Sequence, residues 1–299
     1  MLIAQDYMDL LSDLNKAQRQ AVTHGKGPLL IVAGAGTGKT TVVARRFASL
    51  VQEGKAKADE ILAITFTEKA AQEMEERISQ LLPLTSCELW ISTIHSFCER
   101  VLRDHGLDIG LPVDFEILNA SGQWLFMRRH FNEFNLNYYR PLGNATKFIK
   151  VLLDHFSRVK DEAITPEEYL SYVKSQRLNY DNAEAAFTEE AERLEEIAHA
   201  YHTYQALKLQ ERVLDFGDLL MYTLLLFKRR KGVLEYYRKK FSYILVDEFQ
   251  DTNWVKYELM KLLAAPENNL TVVGDDEQSV YAFRGASMSN ILHFKDDFQ

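Results

Sequence analysis

Cysteine is scarce in this chain: its 299 residues include two, Cys87 and Cys98. They lack metal-ligand spacing and a partner set, so neither a disulfide framework nor a cysteine-bound metal is expected. A reduced, cytoplasmic setting fits both thiols. There is no run of about eighteen apolar residues, so no transmembrane helix and no membrane partner is expected. The start of the chain carries Asp6, Asp9 and Asp13 and no early basic cluster, unlike a secretory signal. Positive charge is not in excess either, since the formal net charge is −8. That excludes a protein coated in basic surface. It leaves room for a local groove with stacking groups, which is all that single-strand binding needs. Internal repeats and low-complexity segments are absent. What remains is a globular composition, 46% hydrophobic and 26% charged, long enough for one large domain or two modest ones.

The most informative stretch is Ala33-Gly34-Ala35-Gly36-Thr37-Gly38-Lys39-Thr40-Thr41. An apolar run, Pro28 to Val32, precedes it, and helical periodicity from Thr41 to Val51 follows. Strand, glycine-rich turn and helix in that order are the context of a phosphate-binding loop. Glycines let backbone N–H groups curl around phosphate oxygens, and a helix N-terminus adds positive potential there. Lys39 is placed for β- and γ-phosphates and Thr40 for Mg²⁺. Ala33 stands where the strict pattern begins with glycine.

Short apolar runs at Leu29–Ala33, Ile61–Thr67 and Leu89–Thr93 alternate with helical periodicity, for example Ala70, Met74, Ile78 and Leu81. The same alternation returns near the C-terminus, where Tyr243–Val246 and Leu270–Val273 read as strands around a helical Trp254–Leu263. This grammar predicts an α/β fold with a parallel sheet. From about residue 106 to about residue 212 strand patterns nearly vanish. Leu194, Ile197, Tyr201, Tyr204 and Lys208 stack at helical spacing, and further helices are expected near Gln123–Phe134, Ala145–Phe156 and Pro166–Val173. A helical insertion within an α/β domain is the expected organisation.

Two further segments carry chemistry. The strand Tyr243–Val246 ends in Asp247 and Glu248, which places two carboxylates at the edge of the sheet where the phosphate loop also lies. Asp247 suits Mg²⁺, and Glu248 suits the orientation or deprotonation of an attacking water. The segment Val273 to Ala286 follows another strand and holds Asp275, Gln278, Tyr281, Phe283 and Arg284. The Gln278 amide suits a γ-phosphate or its water. Aromatics beside an arginine suit unpaired bases and phosphates.

Together these segments resemble the superfamily 1A DNA helicases of the UvrD/Rep/PcrA type. Leu14 to Val22 is similar to the family's adenine-reading segment, with Gln18 as its glutamine. Thr65-Phe66-Thr67-Glu68-Lys69-Ala70-Ala71-Gln72-Glu73-Met74 and Ser92-Thr93-Ile94-His95-Ser96-Phe97 resemble its single-strand-contacting segments. Glu68 stands where asparagine is usual, and its carboxylate is unsuited to a phosphate. Leu214 to Leu220 resembles another block, with Gly217 in place of a common acid.

The resemblance implies a RecA-like lobe, termed 1A, from 1–108 and 212–299, and a helical 1B insertion at 109–211. It implies ATP and Mg²⁺ as cofactors. Gln18, the loop from Ala33 to Thr41 and Arg284 would form the nucleotide site, with Lys39, Asp247, Glu248 and Gln278 catalytic and Thr40 and Asp247 on the metal. Single-stranded DNA and strand junctions are the implied partners, through Thr65, Phe66, Thr67, His95, Tyr281 and Phe283. Arg128, Arg129, Arg140, Lys147 and Lys150 are read as a solvated helix face, with a DNA-facing surface as the alternative. Family members continue into a second RecA-like lobe, 2A with its 2B insertion, that no segment here resembles. The expectation is therefore the first half of a 3′-to-5′ translocase and helicase of DNA repair, replication or recombination, weak in hydrolysis and unwinding by itself. The alternative is a stand-alone module that gates single-strand binding with ATP, or one subunit of a split enzyme whose other polypeptide supplies the facing lobe.

Overall fold

The structure is a computed structural model that describes residues 10–82, 88–180, 185–275 and 288–298. The chain divides into two compact units, residues 1–100 with 224–299, and residues 101–223.

The first unit is built on a five-stranded sheet. Its strands are β1 (Leu29–Val32), β2 (Ile61–Thr65), β3 (Trp90–Thr93), β6 (Tyr243–Val246) and β7 (Leu270–Gly274). Their spatial order is β1-β7-β6-β2-β3. Every neighbouring pair is parallel, with Leu29 opposite Thr271, Ile244 opposite Leu270, Ile61 opposite Tyr243 and Leu62 opposite Trp90. Strands β2, β6 and β7 are buried at every residue. This is why they read as continuous apolar runs, as strands covered on both faces do. The helices of this unit include α1 (Lys16–Val22), α2 (Lys39–Gln52), α3 (Glu68–Leu81), α10 (Lys231–Lys240) and α11 (Trp254–Ala264). Met74 and Ile78 of α3 pack with Phe47 of α2 and Leu245 of β6 in one core cluster.

Parallel strands bring all their C-terminal ends to one edge, and each turn there is locally encoded. The run Ile61–Thr67 stops being strand at Thr65 because Thr67 is the N-cap of α3, its hydroxyl accepting the Ala70 N–H at 3.1 Å. Helix α2 begins two residues before the periodicity does, since Gly38 adopts the left-handed conformation at its N-cap.

The second unit holds β4 (Glu116–Leu118), α5 (Ala120–Arg129), α6 (Ile149–Asp161), α7 (Pro166–Tyr180), α8 (Ala185–Gln210) and β5 (Val213–Asp215). Helices α4 (Ile94–His105) and α9 (Phe216–Arg229) run across its boundaries. The insertion is thus not purely helical, because β4 and β5 form a two-stranded parallel ladder. Three-residue strands are too short to leave a readable alternation. The stripe along α8 is core, as Tyr201 and Tyr204 lie with their rings 5.3 and 5.4 Å from Phe156.

That stripe ends in a buried ion cluster. Lys208 and Lys160 both sit 2.6 Å from Asp215 Oδ2, Lys160 sits 2.7 Å from Asp218, and Lys208 also pairs with Asp218. Two cations and two anions cancel, which is what permits four charges in a core. Against the cost of burial, the charges of Lys160 and Lys208 hold the Asp215 carboxyl well below the ordinary carboxylate range. The block Leu214–Leu220 therefore carries packing as well as its family likeness. Gly217 belongs to it, because a Cβ there would lie 2.9 Å from Lys160 Cδ.

Among the described residues no helix is long and apolar enough to cross a membrane. Cys98 is buried, and Cys87 lies outside the described residues.

Candidate nucleotide site and single-strand face

The turn from β1 into α2 is exposed from Gly34 to Thr37. Gly36 and Gly38 have φ of 72° and 86°, a region that suits glycine. Ala33 needs no such freedom: its N–H donates to Gly274 O at 3.0 Å, continuing the β1–β7 ladder. Within the turn, Thr37 Oγ1 donates to Gly34 O at 2.7 Å. Ala35 stands exposed between the glycines. The backbone therefore stays open, while its ends are held by the strand ladder and the helix.

Lys39 donates to Ala33 O at 3.0 Å and to Asp275 Oδ2 at 3.1 Å. It thus bends back over the loop toward a carboxylate at the end of β7. Thr40 Oγ1 donates to Asp247 Oδ2 at 2.8 Å. The structure brings together the hydroxyl and carboxylate expected to hold Mg²⁺, and two hard oxygen donors suit that ion. Burial pushes the Asp247 carboxyl up, and the Glu248 charge adds to this, against the Thr40 hydrogen bond. A cation beside Asp247 would relieve that cost. Thr41 accepts from Arg77 Nη1 at 2.9 Å, which ties the first turn of α2 to α3.

Glu248 lies in the left-handed region at φ 56°. A non-glycine residue there is strained, and such strain concentrates at functional sites. Two bonds hold it. Its N–H donates to Asp247 Oδ1 at 3.1 Å, and Gln250 Nε2 donates to its Oε2 at 2.6 Å. Gln250 Oε1 in turn accepts the Asp275 N–H at 3.0 Å. One buried amide so joins the proposed water-activating carboxylate to the partner of Lys39. Asp275 and Gln250 stand inside motifs visible in the sequence, but only the fold reveals their joint role.

Gln18 reaches the same place. Its Nε2 donates to Thr37 O at 3.0 Å, and its Oε1 accepts the Asn15 N–H at 2.9 Å in the capping box of α1. One N–H and one lone pair of the amide remain for an adenine edge.

Beyond β2 and β3 the predicted strand-contacting residues take distinct positions. Thr65 is 2% exposed and donates to Thr67 O at 3.1 Å. It shapes the turn and is too buried for a direct DNA contact. Thr67 caps α3. Glu68 accepts from Thr93 Oγ1 at 2.8 Å and from Ser96 Oγ at 2.6 Å. A carboxylate at this position is thereby committed to hydroxyls. Phe66 and His95 are half-buried. Lys256 stands 5.4 Å above the Phe66 ring. Burial, then the Lys256 charge, lowers the His95 imidazole to about 4, with Glu68 opposing. His95 is therefore neutral at neutral pH. Trp254, 46% exposed and stacked on Tyr257, adds an aromatic surface two residues from Lys256. Its exposure could not be read from a helical pattern.

Gln278, Tyr281, Phe283 and Arg284 lie outside the described residues. Of the basic residues in the second unit, Arg129 pairs with Glu211, Lys150 lies 3.4 Å from Asp154, and Arg140 and Lys147 cover Phe131 and Phe148.

Comparison with known proteins bears on this arrangement directly. Residues 14–299 match the family described as UvrD/REP helicase N-terminal domain. The chain is 41% identical over 292 residues to the ATP-dependent DNA helicase PcrA of Leuconostoc citreum, covering 97% of this chain and 36% of that protein. The PcrA of Bacillus subtilis is 41% identical over 290 residues, with the same coverage of both chains. The PcrA of Staphylococcus aureus is 39% identical over 290 residues, 97% of this chain and 37% of its own length. The chain spans about a third of the length of these curated relatives. With a glycine-rich turn between strand and helix, a hydroxyl–carboxylate pair and a match across almost its whole length, this chain belongs to the UvrD/REP helicase N-terminal domain family.

Proposed function

We propose that this chain is the ATP-binding, single-strand-contacting part of an ATP-dependent 3′-to-5′ DNA helicase and translocase acting in repair, replication or recombination. The observation that carries the nucleotide half is the Thr40–Asp247 pair at 2.8 Å beside Lys39 on its loop. Gln18 takes the adenine edge with its remaining donor and acceptor. Backbone N–H groups from Gly34 to Gly38 receive phosphate oxygens, and Lys39 exchanges Asp275 for the β- and γ-phosphates. Thr40 and Asp247 hold Mg²⁺, which when bound neutralises charge on the transferring phosphoryl group. Glu248, held by Gln250, accepts a proton from the attacking water. Gln278 and Arg284 take the γ-phosphate side. The polarity and the pathway class rest on the family likeness.

Phe66, His95 and Trp254, with Lys256, form the described part of the single-strand path, and Tyr281 and Phe283 extend it. Neutral His95 offers a base a hydrogen bond. Stacking aromatics beside a cation bind unpaired bases without sequence preference. Strand junctions follow as substrates of the whole motor.

The exposed loop from Gly34 to Thr37 leaves the phosphates open to water, which weakens electrostatic catalysis. The chain assayed alone is therefore proposed to bind Mg-ATP and turn it over slowly, with efficient hydrolysis requiring a facing lobe from the same or a second polypeptide. Binding of a fluorescent Mg-ATP analogue and of a labelled oligothymidylate tests the assignment. Absence of both overturns it. Single-turnover hydrolysis with and without the oligonucleotide tests the half-site, and robust stimulated turnover by the chain alone overturns that part.

A further inference from the structure

The side-chain amide of Gln250 is buried between the ends of two neighbouring strands. β6 ends at Val246 and β7 at Gly274, and the two run parallel side by side. The residues that follow them therefore meet at one sheet edge. A short 3₁₀ turn, Phe249–Asp251, opens on Glu248 in the left-handed conformation. This turn leaves Glu248 half-buried and Gln250 3% exposed.

Chemistry fixes which way the Gln250 amide faces, because its two ends are nearly the same size. The Asp275 N–H can only donate, so the atom that meets it at 3.0 Å is the amide oxygen. The amide nitrogen must then face Glu248 Oε2, at 2.6 Å. Hydrogen bonds to a carboxylate are the stronger kind. This is the one side-chain hydrogen bond that Glu248 makes among the described residues.

The acids around Glu248 push the other way. Asp247 precedes it in the chain, and Asp251 closes the turn. Burial, then the Glu248 charge, lifts the Asp251 carboxyl to about 6, with Lys256 opposing. Asp251 Oδ1 is buried and has no hydrogen-bond partner among the described residues, so it does not tie Glu248 down by sharing a proton. A long carboxylate side chain beside like charges turns toward water unless a donor holds it. Gln250 is that donor, and its own direction is set from the end of β7.

We propose that Gln250 is a positioning residue for hydrolysis, holding Glu248 by Oε2 so that Oε1 faces the attacking water. This rests on the nucleotide reading above, in which Glu248 takes the proton. One proton passes from water to Oε1 while the water oxygen bonds the γ-phosphorus and the bond to the β–γ bridging oxygen breaks. The Gln250 amide touches neither the water nor the phosphates. It acts through Glu248, since a base held in one direction reacts faster than one that samples several rotamers.

Two variants of the 299-residue chain separate this role from packing. Gln250→Glu keeps the size and an acceptor for the Asp275 N–H but loses the donor. Its carboxylate either repels Glu248 or shares a proton with it, and both remove an available base. Gln250→Met keeps the bulk and loses donor and acceptor. In each, single-turnover hydrolysis at saturating Mg-ATP should fall about tenfold or more, while affinity for a non-hydrolysed Mg-ATP analogue stays within about threefold of the parent chain. An unchanged rate in both variants overturns the proposal, and so does a loss of affinity that matches the loss of rate.

A second measurement needs no nucleotide. Urea denaturation at about 0.5 M salt screens charges that are not in contact. Gln250→Glu should lower the midpoint of the parent chain. At least half of that loss should disappear in the Glu248→Gln background, where the new amide can donate to the new carboxylate. An equal loss in both backgrounds overturns the contact and the proposal with it. Failure of the nucleotide reading looks different. The parent chain then fails to bind the analogue or to hydrolyse ATP while the urea cycle still shows the contact, and the positioning role falls with that reading.

Discussion

The Lys39 ammonium lies 3.1 Å from Asp275 Oδ2, although the two residues are 236 positions apart in the chain. Asp275 is 1% exposed, so this ammonium supplies counter-charge to a buried carboxylate at the end of β7. Lys39→Ala should weaken Mg-ATP binding by at least about tenfold and also destabilise the folded chain by about 1–3 kcal/mol, because a buried carboxylate loses its counter-charge. Adding Asp275→Asn should restore most of the stability and none of the binding. Chemical denaturation and nucleotide titration of the single and double variants check both halves. Equal stability of Lys39→Ala and the parent chain would break the coupling.

Asp247 and Thr40 make a second prediction, about metal. Asp247→Asn keeps the shape and a hydrogen bond to Thr40 Oγ1 while removing the charge. The Mg²⁺ concentration for half-maximal ATP binding should rise about tenfold or more, since a hard cation loses its charged protein oxygen. A Mg²⁺ titration at fixed nucleotide reads this out, and an unchanged midpoint would remove Asp247 from the metal site.

The proposed aromatic contact with bases predicts losses of affinity without losses of fold. Trp254→Ala and Phe66→Ala should each cost about 1–3 kcal/mol of oligothymidylate affinity, the usual value for one stacked base. Trp254 is 46% exposed, so its removal should shift the melting temperature little. Fluorescence anisotropy and thermal denaturation measure the two effects separately.

His95 predicts a pH signature. Its imidazole is lowered to about 4, below the ordinary value near 6.5. The folded chain therefore binds fewer protons here than the unfolded chain between those values, and stability rises with pH across that window. Above it the contribution is constant. His95→Gln, which cannot take up the proton, should flatten this part of the stability curve. The His95 imidazole signal should show no titration between pH 6 and 8 by NMR, and a midpoint within that range would contradict the assignment.

Gly217 predicts a reversal of helix propensity. Alanine is normally the better residue in a helix. Here its Cβ would meet Lys160 Cδ at 2.9 Å, and Lys160 cannot swing aside because Asp215 and Asp218 hold it at 2.6 and 2.7 Å. Gly217→Ala should destabilise by about 1–3 kcal/mol, the cost of overpacking. Urea denaturation decides the sign.

Much of the candidate nucleotide site is legible in the amino-acid sequence, because its geometry is local. A strand, a glycine turn and a helix start within a dozen residues dictate where backbone N–H groups point. An apolar strand that ends in two acids places them at the same sheet edge. The helical stripe on α8 is legible too, but not the fate of its last member. Periodicity sets Lys208 at the end of the stripe, whereas Asp215 and Asp218 draw its charge into the core.

The amino-acid sequence by itself determined the family, the parallel α/β architecture and the glycine-rich turn between β1 and α2, since each is written in short-range pattern and residue type. Only the tertiary structure decided which distant side chains meet. It set Lys39 on Asp275, put Gln250 between Asp275 and Glu248, buried Thr65, and left Tyr243 Oη without a partner among the described residues. The physical reason is range: propensity and periodicity act over a few residues, while charge pairing, burial and hydrogen-bond satisfaction depend on neighbours that folding brings from elsewhere in the chain.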